Sequence, residues 1–282
     1  MNFMRTFFFL LLATVSLYAE KPKVLVSVAP YVPICKDLSD DLITTELLVP
    51  TGFSSHTYEP TPKQIFSCLD ASLWFTIGEL FEVKIKKVLQ NENPHLAVID
   101  LRQGLSLLKE SCHHACHSHE SADPHIWMSP KMMLTQVITM AKALETAFPT
   151  FKEAIEQNLA KTTKKLETLD KEIRLILANK QGHKIFVSHP AYGYFCREYG
   201  LKQVAIEFEG KDPTPRDLTT LIKQAKQAHV QMIFTQPQYS TKAAEIIANE
   251  TDARVVSLNP YSENYYESMK EIAENFAKGA VA

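Results

Sequence analysis

Apolar, β-branched runs recur along the chain in two series of four. The first comprises "KVLVSV" (23–28), "TELLV" (45–49), "LWFTI" (73–77) and "LAVID" (96–100). The second comprises "KIFVSH" (184–189), "QVAIEF" (203–208), "QMIFT" (231–235) and "RVVSL" (254–258), and segments of helical spacing separate the runs in both series. Runs that are apolar throughout, rather than alternating with polar residues, predict strands buried on both faces, and strands that alternate with helices predict parallel sheets. The pattern therefore predicts an α/β protein of two βα lobes, each built on a four-stranded, mainly parallel sheet.

Between the two series, Val137, Ala141, Leu144, Phe148, Phe151, Ile155, Leu159, Leu166, Leu169, Ile173 and Ile176 recur mostly at steps of three and four, with Thr162 filling the one gap. This is one face of helix continued across Pro149. Proline is tolerated in the first turn of a helix but not inside it, so one helix is expected to end near Phe148 and a second to start at Pro149. The second is expected to run to about Asn179, ahead of Gln181-Gly182, and at ~1.5 Å per residue to span roughly 45 Å, enough to reach both lobes. The expected organisation is an N-terminal lobe over 20–148, a linker helix over 149–180 and a C-terminal lobe over 181–282.

Helix starts share one grammar. Thr61-Pro62, Ser129-Pro130 and Thr214-Pro215 each put a hydroxyl at the N-cap and Pro at the first helical position, and Gln64 completes a capping box with Thr61. These residues, and Glu59 in "YEPTP", read as loop scaffold.

Residues 1–19 change the picture of location. Arg5 precedes the apolar block "TFFFLLLATVSLYA", which is the layout of a secretory signal peptide cut after Ala19 and too short for a membrane span. No Cys follows it to carry a lipid, and no second long apolar run appears, so an exported chain without stable membrane insertion, working as a periplasmic monomer, is expected. What remains suits two domains of about 130 residues each. With 30 basic against 32 acidic residues there is no surplus of positive charge to hold a nucleic acid. Five cysteines is an odd number for an exported chain. Cys112 and Cys116 lie in a His-rich tract, where metal binding or a local disulfide is open to them, while Cys35, Cys68 and Cys196 read as small buried hydrophobes.

Three histidines occupy comparable places in this scheme. His56 follows the second strand, His125 follows the fourth through a long loop, and His189 ends the fifth directly. Parallel βα sheets bind ligands beyond the carboxyl ends of their strands, so a cleft between the lobes would bring the three together. Three imidazoles suit a borderline-soft ion such as zinc.

The segments "PTGFSSHTYEPTP" (50–62), "SADPHIWMSP" (121–130), "VSHPAYGYF" (187–195), "EGKDPTPRDL" (209–218) and "IFTQPQYS" (233–240) together resemble the zinc- and manganese-binding solute-binding proteins of bacterial ABC transporters. The resemblance covers nearly all of the chain after residue 19. It implies two βα lobes joined by one long rigid helix, a Zn2+ cargo with Mn2+ less favoured, delivery to an ABC permease, and His56, His125 and His189 as direct ligands. A histidine at the third position is typical of the zinc carriers. The fourth ligand of the family is usually a carboxylate after the last strand; Asn259 stands there in this chain, and an amide oxygen carries no charge. The resemblance also gives the tract "CHHACHSHE" (112–120), with His113, His114, His117 and His119, an auxiliary role in collecting metal weakly.

Asp123 and Glu207 are candidates for fixing the ligand imidazoles by hydrogen bonds, and equally read as a turn residue and a sheet-end carboxylate. His95, His183 and His229 lack such motif context and read as ordinary surface or loop residues. Three histidines with an open position also describe a secreted zinc hydrolase or hydratase, but no HExxH helix and no marked acid or base accompanies them. A metal-binding adhesin or metal buffer of the same fold is the third reading.

Overall fold

The computed structural model describes residues 20–109, 122–207 and 211–282. The signal-peptide segment and His113, His114, His117 and His119 lie outside the described residues. The first sheet contains β1 (Lys23–Val26), β2 (Thr44–Leu47), β3 (Leu73–Thr76) and β4 (Ala97–Asp100), and the second contains β5 (Lys184–Val187), β6 (Lys202–Ala205), β7 (Met232–Thr235) and β8 (Arg254–Ser257). The strand orders are β2-β1-β3-β4 and β6-β5-β7-β8, and every pairing is parallel. The lobes thus repeat one topology, in which the chain reverses its direction of travel across the sheet beside β1 and beside β5.

The helices are α1 (Tyr31–Ser39), α2 (Pro62–Ser67), α3 (Leu80–Glu92), α4 (Pro130–Ala147), α5 (Lys152–Ile176), α6 (Gly193–Tyr199), α7 (Pro215–Gln227), α8 (Lys242–Thr251) and α9 (Tyr265–Gly279). Side chains alternate across each sheet as strand geometry requires. Val24, Val26, Leu73 and Phe75 face one side, and Leu25 and Trp74 pack on the other with Phe81, Ile85 and Leu89 of α3. In the second lobe Ile185, Val187 and Phe234 face the first side, whereas Phe186 and Ile233 pack with Leu221 of α7 and Ile247 of α8. The inward faces of both sheets belong to one apolar cluster that also holds Ile155, Leu166, Leu169 and Ile173 of α5.

The long helix begins and ends inside its expected bounds. Pro149–Phe151 form a single 3-10 turn, and α5 itself stops at Ile176 rather than Asn179. Phe148 takes φ −131° and ψ 70°, outside the helical region that a following proline disfavours. Beyond Ile176 the Ala178 N–H bonds to Leu175 O and the Lys180 N–H to Leu177 O. Such tighter steps end the helix ahead of Gly182, at φ 78°.

Polar bonds tie α5 to both lobes. Asn158 Nδ2 donates to Asp40 Oδ2 (2.9 Å) and Lys165 Nζ to Asp37 Oδ1 (2.7 Å) in the first lobe, while Lys270 pairs with Glu172 (3.1 Å) and Arg174 with Glu198 in the second. The expected helix caps form at Thr61, Ser129 and Thr214, and Glu59 is an exposed partner of Lys84. Cys35, Cys68 and Cys196 are buried free thiols. Among the described residues no helix is long and apolar enough to cross a membrane.

Candidate metal centre

His189 follows β5 by two residues. The ladder runs on past the strand ends, where the Ser188 N–H bonds to Phe234 O (2.7 Å) and the Glu207 N–H to Ser188 O (3.0 Å). That continuation sets the Glu207 carboxylate beside His189. Gln236, just after β7, locks the backbone of His189 from its other flank: His189 N–H donates to Gln236 Oε1 (3.1 Å), and Gln236 Nε2 donates to His189 O (3.0 Å).

The first lobe supplies its two histidines from loops. β1 and β2 stay paired through Leu48 N–H to Val26 O and Val49 N–H to Ser27 O, after which the chain turns across the sheet end to His56. β3 leads through Gly78, whose φ of 94° a side chain would strain, into Glu79 at the start of α3. His125 precedes a 3-10 turn (Ile126–Met128) that runs into Ser129 and α4. Trp127 is fully buried, lies 5.2 Å from the His125 ring and donates its Nε1–H to Pro260 O (2.9 Å). The tryptophan after His125 thus anchors that loop across the cleft.

His56, His125 and His189 bring one ligand atom each to within 4.8 Å of one another. His56 Nε2 lies 3.2 Å from His189 Nε2, and His189 Nε2 lies 3.4 Å from His125 Nε2. Zn-N bonds of about 2.0–2.1 Å in a tetrahedral shell separate their nitrogens by about 3.3–3.4 Å.

Each imidazole turns its other nitrogen to a carboxylate. His56 Nδ1 lies 3.0 Å from Glu79 Oε2, His125 Nδ1 lies 2.7 Å from Asp123 Oδ1, and His189 Nδ1 contacts Glu207 Oε1. An ionised carboxylate only accepts, so with all three ionised the proton of each neutral ring sits on Nδ1 and the three Nε2 lone pairs face one another. Lone pairs held this close repel unless a cation stands among them. The charge left open by three neutral ligands is offset from outside the ligand set, by up to three carboxylates against the two charges of a dication.

Burial, then the repulsion that a protonated His125 or His56 would exert, hold His189 well below the usual histidine range, so it stays neutral. Burial pushes the Glu207 carboxyl up to about 7, and a dication beyond the imidazole would draw it back toward ionisation. Burial works to raise Glu79 as well, but the hydrogen bonds from His56 and Ser55 and the charge of His125 outweigh it and keep the carboxyl below its usual value. The His125 and His189 side chains are buried, whereas His56 is 25% exposed, so the cluster opens toward solvent past His56.

Asn259 is committed elsewhere. Its Oδ1 accepts from Gln238 Nε2 (2.8 Å) and from the Tyr261 N–H (3.1 Å), which braces the loop after β8. From this loop it is the Tyr261 hydroxyl that contacts an imidazole, 3.0 Å from His125 Nε2. Tyr239 stacks on His189 with ring centres 3.9 Å apart and planes 11° apart. Asp123 and Glu207, singled out from the sequence, do contact imidazoles; Glu79, Tyr239, Tyr261 and Gln236 were not singled out. Glu79 had one legible signal, because it follows β3 at the switch point of the first sheet much as His189 follows β5. His95 and His229 are exposed and His183 is half-buried, and none of them joins the cluster.

A family model described as ZnuA, zinc-uptake complex component A, periplasmic, matches residues 24–279. The high-affinity zinc uptake system protein ZnuA of Bacillus subtilis (strain 168) is 31% identical over 251 residues, spanning 85% of this chain and 78% of that protein. A crystal structure of ZnuA aligns with a TM-score of 0.86 at 34% identity, covering 92% of this chain and 99% of the other. The SBP FpvC from Pseudomonas aeruginosa, in complex with Mn2+, aligns at 0.80 and 25% identity, over 92% and 98% of the two chains.

Proposed function

We propose that this chain, which belongs to the ZnuA family of zinc-uptake components, captures Zn2+ between its two lobes on His56, His125 and His189 and hands it to an ABC permease outside the cytoplasm. The observation that carries the reading is the convergence of three Nε2 atoms, at separations of 3.2 and 3.4 Å, each backed by a carboxylate on Nδ1. Export rests on the signal-peptide pattern of residues 1–19, and delivery to a permease rests on the family. Asn259, whose amide oxygen already serves two donors, is given no place in the ligand set.

The arrangement supports a carrier over a hydrolase. A hydrolytic zinc centre needs a general base free to take a proton from bound water. Glu79, Asp123 and Glu207 are instead each engaged with an imidazole, where they fix ring orientation and strengthen the nitrogen as a donor. Imidazole nitrogen favours zinc over manganese, which prefers harder oxygen donors and sits lowest in the divalent affinity order.

The test is calorimetry and competition titration on stripped protein refilled with Zn2+ or Mn2+. One tight zinc site with much weaker Mn2+ binding is expected. Replacing any one of His56, His125 or His189 by Ala should weaken zinc at least about tenfold, or about 1.4 kcal/mol. Single variants with unchanged affinity would refute the site, and equal affinity for Mn2+ would overturn the zinc assignment while leaving a metal carrier.

A further inference from the structure

The loop after β8 reaches from the second lobe into the first. Tyr261 is buried there, and its hydroxyl is 3.0 Å from Nε2 of His125, the nitrogen that faces the other two imidazoles. Asp123 holds the Nδ1 proton of that ring (2.7 Å), so Nε2 has a lone pair and no hydrogen. A tyrosine hydroxyl in its ordinary protonated form is then the donor of this bond.

The neighbouring hydroxyls leave that direction open to it. The Tyr239 hydroxyl accepts from Ser54 Oγ (3.1 Å) and shares a hydrogen bond with the Tyr261 hydroxyl. Ser55 Oγ lies 3.4 Å from the Tyr261 oxygen, but its single proton has a much closer acceptor in Glu79 Oε1. His125 Nε2, at 3.0 Å, has a lone pair and no hydrogen, so the Tyr261 O–H turns to it and the bond shared with Tyr239 takes its proton from Tyr239.

That lone pair cannot accept a hydrogen bond and bind a metal ion at the same time. We propose that Tyr261 is a latch on the metal site: its hydroxyl competes with the ion for His125 Nε2, so that zinc entry breaks this bond and its re-formation assists release. The proposal rests on the assignment of His125 as a zinc ligand. Tyr261 acts through His125 as a positioning residue, and it makes affinity and release rate depend on how the second lobe's loop seats against the first. The seat is well defined, because Trp127 Nε1–H donates to Pro260 O (2.9 Å) and the Tyr265 hydroxyl donates to Trp127 O (2.8 Å) on either side of Tyr261.

The experiment compares wild type, Tyr261→Phe, Tyr239→Phe and His125→Ala. Zinc affinity is read by competition with a chromogenic chelator, and release by rapid mixing with excess chelator. Tyr261→Phe keeps the ring and removes the competing donor, so zinc should bind about threefold to tenfold tighter, on the scale of one hydrogen bond, and leave more slowly. Tyr239→Phe keeps its stack on His189 and removes only the donor behind Tyr261, so it should shift both quantities the same way by less. This second variant carries the test if Tyr261→Phe fails to fold. A purely structural tyrosine would weaken binding when trimmed. Unchanged or weaker binding in Tyr261→Phe, or in Tyr239→Phe where that variant carries the test, overturns the latch. His125→Ala separates the two failures: if it also leaves zinc affinity intact the metal-site assignment fails, and if it abolishes binding while the Phe variants change nothing only the latch fails.

Discussion

Glu79 offers the sharpest test at the scale of single residues. Of the three carboxylates on imidazoles it serves the most exposed ring, His56, and it is itself held by Ser55 and sits at the start of α3. An exposed ring has fewer packing contacts to orient it, so its hydrogen bond does more of that work. Glu79→Gln keeps the volume and an acceptor oxygen while removing the charge. It should lower zinc affinity by about tenfold to a hundredfold, the usual cost of losing such a partner. Competition titration checks this, and unchanged affinity would show that His56 is oriented by the loop alone. The histidines themselves were legible as residues after strand ends. Glu79 was less so, because a glutamate that opens a helix has an ordinary capping explanation, and only the fold puts it against His56.

At the scale of elements, α5 carries one misfit. Thr162 stands in the apolar stripe of the helix, is buried, and its Oγ1 has no hydrogen-bond partner among the described residues. A buried hydroxyl without a partner costs free energy that an apolar group of the same shape avoids. Thr162→Val preserves the branching at Cβ and should stabilise the protein by about 1 kcal/mol, a rise of about 2–4 °C in Tm, without changing zinc affinity. Calorimetric melting of the zinc-loaded and stripped protein tests both halves of the statement, and a lower Tm would show that the hydroxyl is satisfied after all. The same stripe marked the helix in the sequence, with Thr162 as its only gap. Its end at Ile176 was not marked, since the residues up to Asn179 are compatible with helix and tertiary context sets the last turn.

At the scale of the whole molecule, the lobes behave as one packed unit. A single apolar cluster runs from the inward face of one sheet through α5 to the other. Hydrogen bonds also cross the cleft, among them Tyr194 Oη to Asp123 O (2.7 Å) and Arg197 Nη1 to Ser106 O (2.8 Å). Opening the lobes as a hinge would expose core surface and break these bonds together. Zinc uptake and release should therefore move loops and side chains, including the seat of Tyr261, while leaving the lobe arrangement nearly unchanged. Solution scattering of stripped and zinc-loaded protein is expected to give superimposable curves, and a clear compaction on loading would contradict the rigid frame.

What the sequence determined by itself was the frame: eight apolar runs, the helices between them, the caps at Thr61, Ser129 and Thr214, and three histidines after strand ends. Each of these is a local property, set by side-chain periodicity and by the hydrogen-bonding needs of helix starts over a few neighbouring residues. The tertiary structure decided the rest. It set three Nε2 atoms from segments 64 and more residues apart at metal-binding separations, put a carboxylate behind each, and turned Asn259 toward Gln238 while bringing Tyr261 to His125. The physical reason is that these contacts depend on how two lobes with separate sheets are held against α5. A shift of one ångström there separates a ligand from a bystander, and no local pattern along the chain records it.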